Sequence, residues 1–142
     1  MIQRVQTLFL LLTTLISVSL LYLPLFELPA MAADALPREF RITSNALLLI
    51  LCAATGLFSF IVIFLFKNRR LQLKACRLIL IIIFVMIGLL FYTSDTYSSG
   101  LDQKVVFKTG TYLPLLQVVF IFLAHRAIKK DDELVRSADR LR

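Results

Sequence analysis

The chain has 142 residues, 59% hydrophobic and only 18% charged, with a formal net charge of +7 and a mean hydropathy of +0.85. Soluble domains run near half apolar and about a quarter charged, so this composition excludes an ordinary soluble domain and belongs to a membrane protein. The basic residues lie between and beyond four apolar blocks with no nucleic-acid reading element among them, so no nucleic-acid partner is expected.

Crossing the hydrocarbon layer takes roughly 20 mainly apolar helical residues. The first block, about residues 5–26, meets that requirement, and its mid-span polar groups are only Thr13, Thr14, Ser17 and Ser19. Such hydroxyls bond back to a carbonyl one turn earlier and cost little in lipid. Tyr22 is expected at the outer interface, with Pro24 ending the helix. Arg4 and the sequence Ala30-Met31-Ala32 imitate a signal peptide. The apolar run exceeds the roughly 7–15 residues of a signal core, so it is expected to remain as a first transmembrane helix.

Residues 27–45, with Pro29 and Pro37, read as an outer loop, and Thr43, Ser44 or Asn45 can cap a second helix over 46–66. A cytoplasmic turn over 67–74 leads to a third helix, 75–93, whose apolar part is short and whose Arg77 can snorkel to the headgroups. A second outer loop covers 94–109. The fourth helix covers 110–128, with Gly110 and Pro114 read as start-of-helix residues because a first-turn proline loses no bond. Within the outer loops, Phe40-Arg41-Ile42-Thr43 and Lys104-Val105-Val106-Phe107-Lys108 have strand-like composition. The segments Arg38–Ser44 and Lys104–Thr109 are therefore expected to pair directly and tie the two helical hairpins together.

Orientation follows from the Lys and Arg residues that flank the spans. With the N-terminus inside, twelve of the sixteen face the cytoplasm and four, Arg38, Arg41, Lys104 and Lys108, face out. Four acids accompany the inner set and five the outer, giving +8 inside and −1 outside. The expected fold class is all-α: an integral membrane four-helix bundle, both termini cytoplasmic, with an amphipathic C-terminal helix over 129–142. Cys52, Gly56 and Ser59 on the second helix, Thr13 and Ser17 on the first, and Gly88 on the third read as seams where small residues let helices approach.

No block interior carries a charge, which argues against proton or ion coupling. Gln117, the most polar side chain at depth, reads as an interhelical hydrogen bond. The single His125 is insufficient for a haem held by paired histidines and reads as a helix-end imidazole. Cys52 and Cys76 form no vicinal or metal-binding spacing and read as buried thiols. Asp95, Tyr97, Ser98, Ser99 and Asp102 could assemble a polar outer site, but no His or Cys lies outside to activate a nucleophile. No catalytic residue, cofactor or metal is expected.

Two features remain as candidates. Lys67, Arg69, Arg70, Lys74 and Arg77 form a basic turn suited to lipid headgroups or an acidic partner, each cation contributing about 1 kcal/mol near an anionic leaflet. In the tail, Leu134, Val135, Ala138 and Leu141 recur at helical spacing, with Arg136 and Arg140 on other faces. That narrow stripe suits either an interfacial helix or a partner-binding helix. Asp132 and Arg136 stand four apart in the order that favours an ion pair.

The start, Met1-Ile2-Gln3-Arg4-Val5-Gln6-Thr7-Leu8, and the end, Leu134-Val135-Arg136-Ser137-Ala138-Asp139-Arg140-Leu141-Arg142, resemble the domain-of-unknown-function family numbered 4293. These are small four-pass membrane proteins of bacteria, mainly Bacteroidota. The resemblance implies a bacterial inner-membrane location and carries no activity, ligand or catalytic residue. The expected role is a non-enzymatic membrane scaffold or accessory protein whose cytoplasmic face engages a membrane or cytosolic partner. The alternative is a small-solute or lipid transporter, or a subunit of one, built around Gln117 and the Thr and Ser positions.

Overall fold

The computed structural model describes residues 3–28, 38–65, 68–101 and 104–139. In chain order these form α1 (Gln3–Leu20), β1 (Pro24–Leu28), β2 (Arg38–Arg41), a 3-10 turn (Ile42–Ser44), α2 (Ala46–Phe64), α3 (Arg69–Leu101), β3 (Val106–Phe107) and α4 (Thr109–Asp139). Helix α1 packs on α2 and α4, and α3 packs on the same two, so each helix has two helical neighbours. Ala46–Phe64, Arg69–Ser99 and Thr109–Val135 are each long and apolar enough to cross a membrane, while Val5–Leu20 is a shorter apolar helix.

Local chemistry explains most of the boundaries. Helix α2 starts where Asn45 Oδ1 accepts the Leu47 and Leu48 amides at 2.9 and 3.4 Å, satisfying two donors that the first turn leaves free. Helix α1 ends earlier than its apolar run. It stops at Leu20, and the apolar residues Pro24–Leu28 form a strand instead of a last helical turn. Proline at 24 cannot continue the helical ladder, and the backbone it frees pairs on both sides.

Helices α3 and α4 run past their apolar blocks at both ends. Arg69–Lys74, expected in a turn, are the first residues of α3, so the connection from α2 narrows to residues 65–68. The first half of the expected outer loop 94–109 is likewise helical through Leu101. Residues 129–139 continue α4 without a break, so the described part of the tail is an extension of that helix and not a separate element. At 33 and 31 residues, α3 and α4 measure about 50 and 46 Å at ~1.5 Å per residue, well beyond a ~30 Å hydrocarbon layer. Helix α4 begins at Thr109, which moves Pro114 from the first turn into the second.

The strands form one sheet in the order β2-β1-β3, antiparallel throughout. Phe26 is aligned with Phe40 on one side and Phe107 on the other. The expected pairing of Arg38–Ser44 with Lys104–Thr109 is thus wrong in one respect. Both segments enter the sheet, but β1 lies between them and supplies the bonds to each. Phe26 and Phe40 stack at 4.4 Å between ring centres with planes 6° apart, and Tyr97 from α3 tilts against both. Glu27 pairs with Lys108 at 2.9 Å and Glu39 with Arg41 at 2.8 Å. Charged pairs around an aromatic centre place this sheet outside any hydrocarbon layer.

The sheet is fastened to α4 at one point. The Lys108 amide donates to the Leu25 carbonyl at 2.8 Å, and the Thr111 hydroxyl donates to the same oxygen. Gly110 lies between these donors, where a Cβ would sit 2.5 Å from the Pro24 carbonyl oxygen. Glycine there permits β1 to lie directly on the helix backbone.

Candidate functional site at the basic end of the helices

At the end opposite the sheet, α2 stops and α3 begins. Asn68 caps α3, its Oδ1 accepting the Leu71 amide at 3.4 Å and its carbonyl the Gln72 amide at 3.1 Å. Arg69, Arg70, Lys74 and Arg77 crowd the first turns of this helix with no acid among them. Cations at a helix N-terminus oppose the macrodipole, so they are not there to stabilise α3.

The structure separates these residues. The Arg69 guanidinium crosses to α4, where Nη1 donates to the Asp131 carbonyl at 3.0 Å and Nη2 reaches Asp131 Oδ2 at 3.2 Å. The two side chains are only 22% and 12% exposed, so this pair is largely withdrawn from solvent. Arg70, Lys74 and Arg77 are exposed, and Lys67 lies outside the described residues. One basic residue therefore locks α3 to α4 and three face outward.

The ion pair lines a cleft of about 590 Å³ together with Leu8, Leu11, Ile63 and Phe64 from α1 and α2. Gln6 and Gln72 line it beside Arg69 and Asp131. Gln6 Nε2 donates to the Ala127 carbonyl at 3.4 Å and Gln72 Nε2 to the Val62 carbonyl at 2.9 Å. Gln6, Gln72 and Asp131 were not singled out in the sequence. Their only signal is position: each is a polar residue at the edge of an apolar block.

On the tail, the buried row Ile121, Ala124, Ile128 and Asp131 follows the contact with the neighbouring helices and ends there. Leu134 and Val135 are 47% and 43% exposed. Arg136 and Ala138 belong to α4, but their side chains lie outside the described residues, as do Arg140 and Leu141 entirely. The expected Asp132–Arg136 pair falls in that category too. Lys129 and Glu133 stand at 3.9 Å one turn apart, both well exposed.

The middle of the molecule holds the seams. Gln117 Nε2 donates to Ser17 Oγ at 2.8 Å and to the Thr13 carbonyl at 3.3 Å, joining α4 to α1. Across the other face of α1, Cys52 Sγ donates to the Ser17 carbonyl at 3.3 Å, and a Cβ on Gly56 would meet Ser17 Cβ at 3.0 Å. Thr13, Ser17, Cys52 and Gly56 thus act together as a close-packed seam. Gly88 does not join it: it faces outward, and a Cβ there would meet nothing within 4 Å. Ser59 Oγ and Gln117 Oε1 are buried with no partner among the described residues. Replacing Gln117 with leucine should lower stability by only about 0.6 to 1 kcal/mol, because interhelical bonds in lipid are individually weak. Thermal unfolding in detergent measures it.

At the sheet end, Asp95 and Ser98 line a shallow recess of about 470 Å³ with Lys104 and Phe107. Tyr97 is engaged with the aromatic stack, Ser99 bonds the Thr96 carbonyl at 3.2 Å, and Asp102 lies outside the described residues. The four described residues therefore do not converge on one point. No group of three His, Cys, Asp or Glu side chains suited to a metal occurs among the described residues. Cys52 and Cys76 are free and buried.

A family model described as "Domain of unknown function (DUF4293)" matches residues 2–141. No curated protein and no solved structure matches the chain.

Proposed function

The chain belongs to the DUF4293 family, and on that premise we propose that it is a non-enzymatic scaffold or accessory protein of the bacterial inner membrane. In this reading the four helices form a four-pass bundle with both termini in the cytoplasm. Helix α1, although short of a full span by itself, crosses because α2 and α4 flank it and its ends carry Arg4 on one side and the polar sheet on the other. The excess of Lys and Arg at the α2–α3 turn and on the α4 extension sets the direction.

One observation carries the functional part. Helix α4 continues unbroken beyond its apolar stretch, is held to α3 by Arg69 and Asp131, and then presents Leu134 and Val135 uncovered. A helix anchored at one turn and bare on the next is a rigid projection, and its apolar positions suit the groove of a partner protein. A carrier centred on Gln117 has less support, since that amide donates to α1 and serves the helix seam.

A photo-crosslinking residue at 134 or 135 in intact cells should give a discrete protein adduct that the same residue at Phe84, on the outward face of α3, does not give. Truncation after Glu133 keeps Asp131 and should abolish co-purification of that partner while the protein still inserts. Adducts with lipid alone, or a partner retained by the truncated chain, would count decisively against the tail as a binding element.

A further inference from the structure

We propose that the cleft between α1 and α2 at the basic end seats one bilayer phospholipid with an anionic headgroup, its phosphate at Arg69 and one acyl chain between the two helices. The proposal does not depend on the tail binding a partner, although both readings involve the Arg69–Asp131 pair.

The walls choose the chain. Leu8, Leu11, Ile63 and Phe64 line the long sides, and Leu8, Leu11 and Phe64 are open to whatever surrounds the helices. At a membrane-crossing helix that surrounding is hydrocarbon, so the occupant of an apolar groove opening sideways is an acyl chain. The volume of about 590 Å³ falls within the ordinary range for small-molecule pockets, roughly 300–1,000 Å³.

The polar end chooses the head. It lies where α2 finishes at Phe64 and α3 begins at Arg69, the level at which a headgroup meets a helix terminus. Arg69 offers five N–H groups, of which two are accounted for by Asp131. The remaining fork geometry suits a phosphate, which a guanidinium can grip with two parallel bonds. Gln6 and Gln72 stand beside it and add polar lining. Asp131 weakens the attraction for an anion, but Arg70, Lys74 and Arg77 on the same helix bring three further cations and no acid. The local balance therefore favours an anionic over a zwitterionic head. Asp131 also fixes the guanidinium in place, so the site is preorganised and does not form anew around each lipid.

The chain has no tryptophan, so a single introduced one is a clean reporter. Phe64→Trp places it in the cleft wall. Leu71→Trp places it on the exposed face of α3 beside the same cations but outside the cleft. Each full-length variant is reconstituted in phosphatidylcholine vesicles containing a minority of acyl-brominated phosphatidylglycerol or, separately, of acyl-brominated phosphatidylcholine. Quenching at position 64 should be several-fold stronger with the anionic lipid, and the excess should persist at high salt, which screens exposed charges far more than a partly buried one. At position 71, beside exposed cations, any anionic excess should be smaller and should vanish at high salt. Arg69→Gln should abolish the excess at position 64, whereas Asp131→Asn, which breaks the same ion pair but keeps the cation, should retain or increase it. Equal quenching by both lipids at position 64, an equal and salt-resistant anionic excess at position 71, or loss of the excess in both the Arg69 and Asp131 variants would overturn the proposal.

Discussion

Phe26→Ala is expected to cost about 3–5 kcal/mol, the range for emptying a fully buried aromatic site in water. Phe26 is the central residue of the sheet: it stacks on Phe40, meets Tyr97 from α3, and lies opposite Phe107. The argument depends on the solvent. The ion pairs Glu27–Lys108 and Glu39–Arg41 place the sheet in water, where apolar burial has its full value. Phe84, on the outward face of α3, has lipid as its alternative environment, and Phe84→Ala should change stability by less than about 0.5 kcal/mol. Unfolding midpoints of the two variants in the same detergent test the contrast. Equal losses would mean that the sheet is not water-exposed.

Gly110→Ala should be the next most damaging change, at about 1–3 kcal/mol or somewhat above, from one added methyl group. The new Cβ would lie 2.5 Å from the Pro24 carbonyl oxygen and 3.0 Å from its carbon, and backbone cannot move aside as a side chain can. Relief requires β1 to lift from α4, which breaks the bonds that Lys108 and Thr111 donate to the Leu25 carbonyl. Limited proteolysis reads this directly: the strand Pro24–Leu28 should become cleavable in Gly110→Ala under conditions where it resists in the parent protein. Gly88→Ala, with open space around it, serves as the neutral control and should leave both stability and resistance unchanged.

These two sites mark where the amino-acid sequence was and was not legible. Apolar blocks report the span and say little about the helix. Helix α2 is bounded by its own cap at Asn45 and lies close to the expected range, 46–64 against 46–66. Helices α3 and α4 extend into polar sequence because a helix needs no apolar side chain to continue: Lys, Arg and Glu are good helix formers, and the weaker Ser, Thr and Asp are added to a helix already nucleated in the span. Pro24-Leu25-Phe26 reads as the end of α1 because it is apolar. It is a strand because those residues bury against β2, β3 and the start of α4, contacts that no local pattern records. The same gap explains the misplaced pairing of β2 with β3, since the middle strand was still assigned to a helix.

The candidate site was partly legible. Arg69 stood in the basic turn on composition alone, but its difference from Arg70 and Lys74 depends on Asp131, 62 residues further along the chain. Only the approach of α3 to α4 reveals which cation joins two helices and which remain exposed. Thr13, Ser17, Cys52 and Gly56 were readable as a seam from their small size, and Gln117 as an interhelical hydrogen bond because a polar group inside an apolar block seeks a neighbour, whereas Gly88 faces outward and joins no seam.

Everything proposed for the basic end depends on where it faces and on α1 crossing the membrane. Single cysteines at Gln3, Tyr22, Ser99 and Ser137, in a Cys52→Ala, Cys76→Ala background, can be probed in spheroplasts with a membrane-impermeant thiol reagent. The four-pass arrangement predicts labelling at 22 and 99, and protection at 3 and 137 until the membrane is permeabilised. Labelling at 3 together with protection at 137 would put the two termini on opposite sides, and would contradict the account at its foundation.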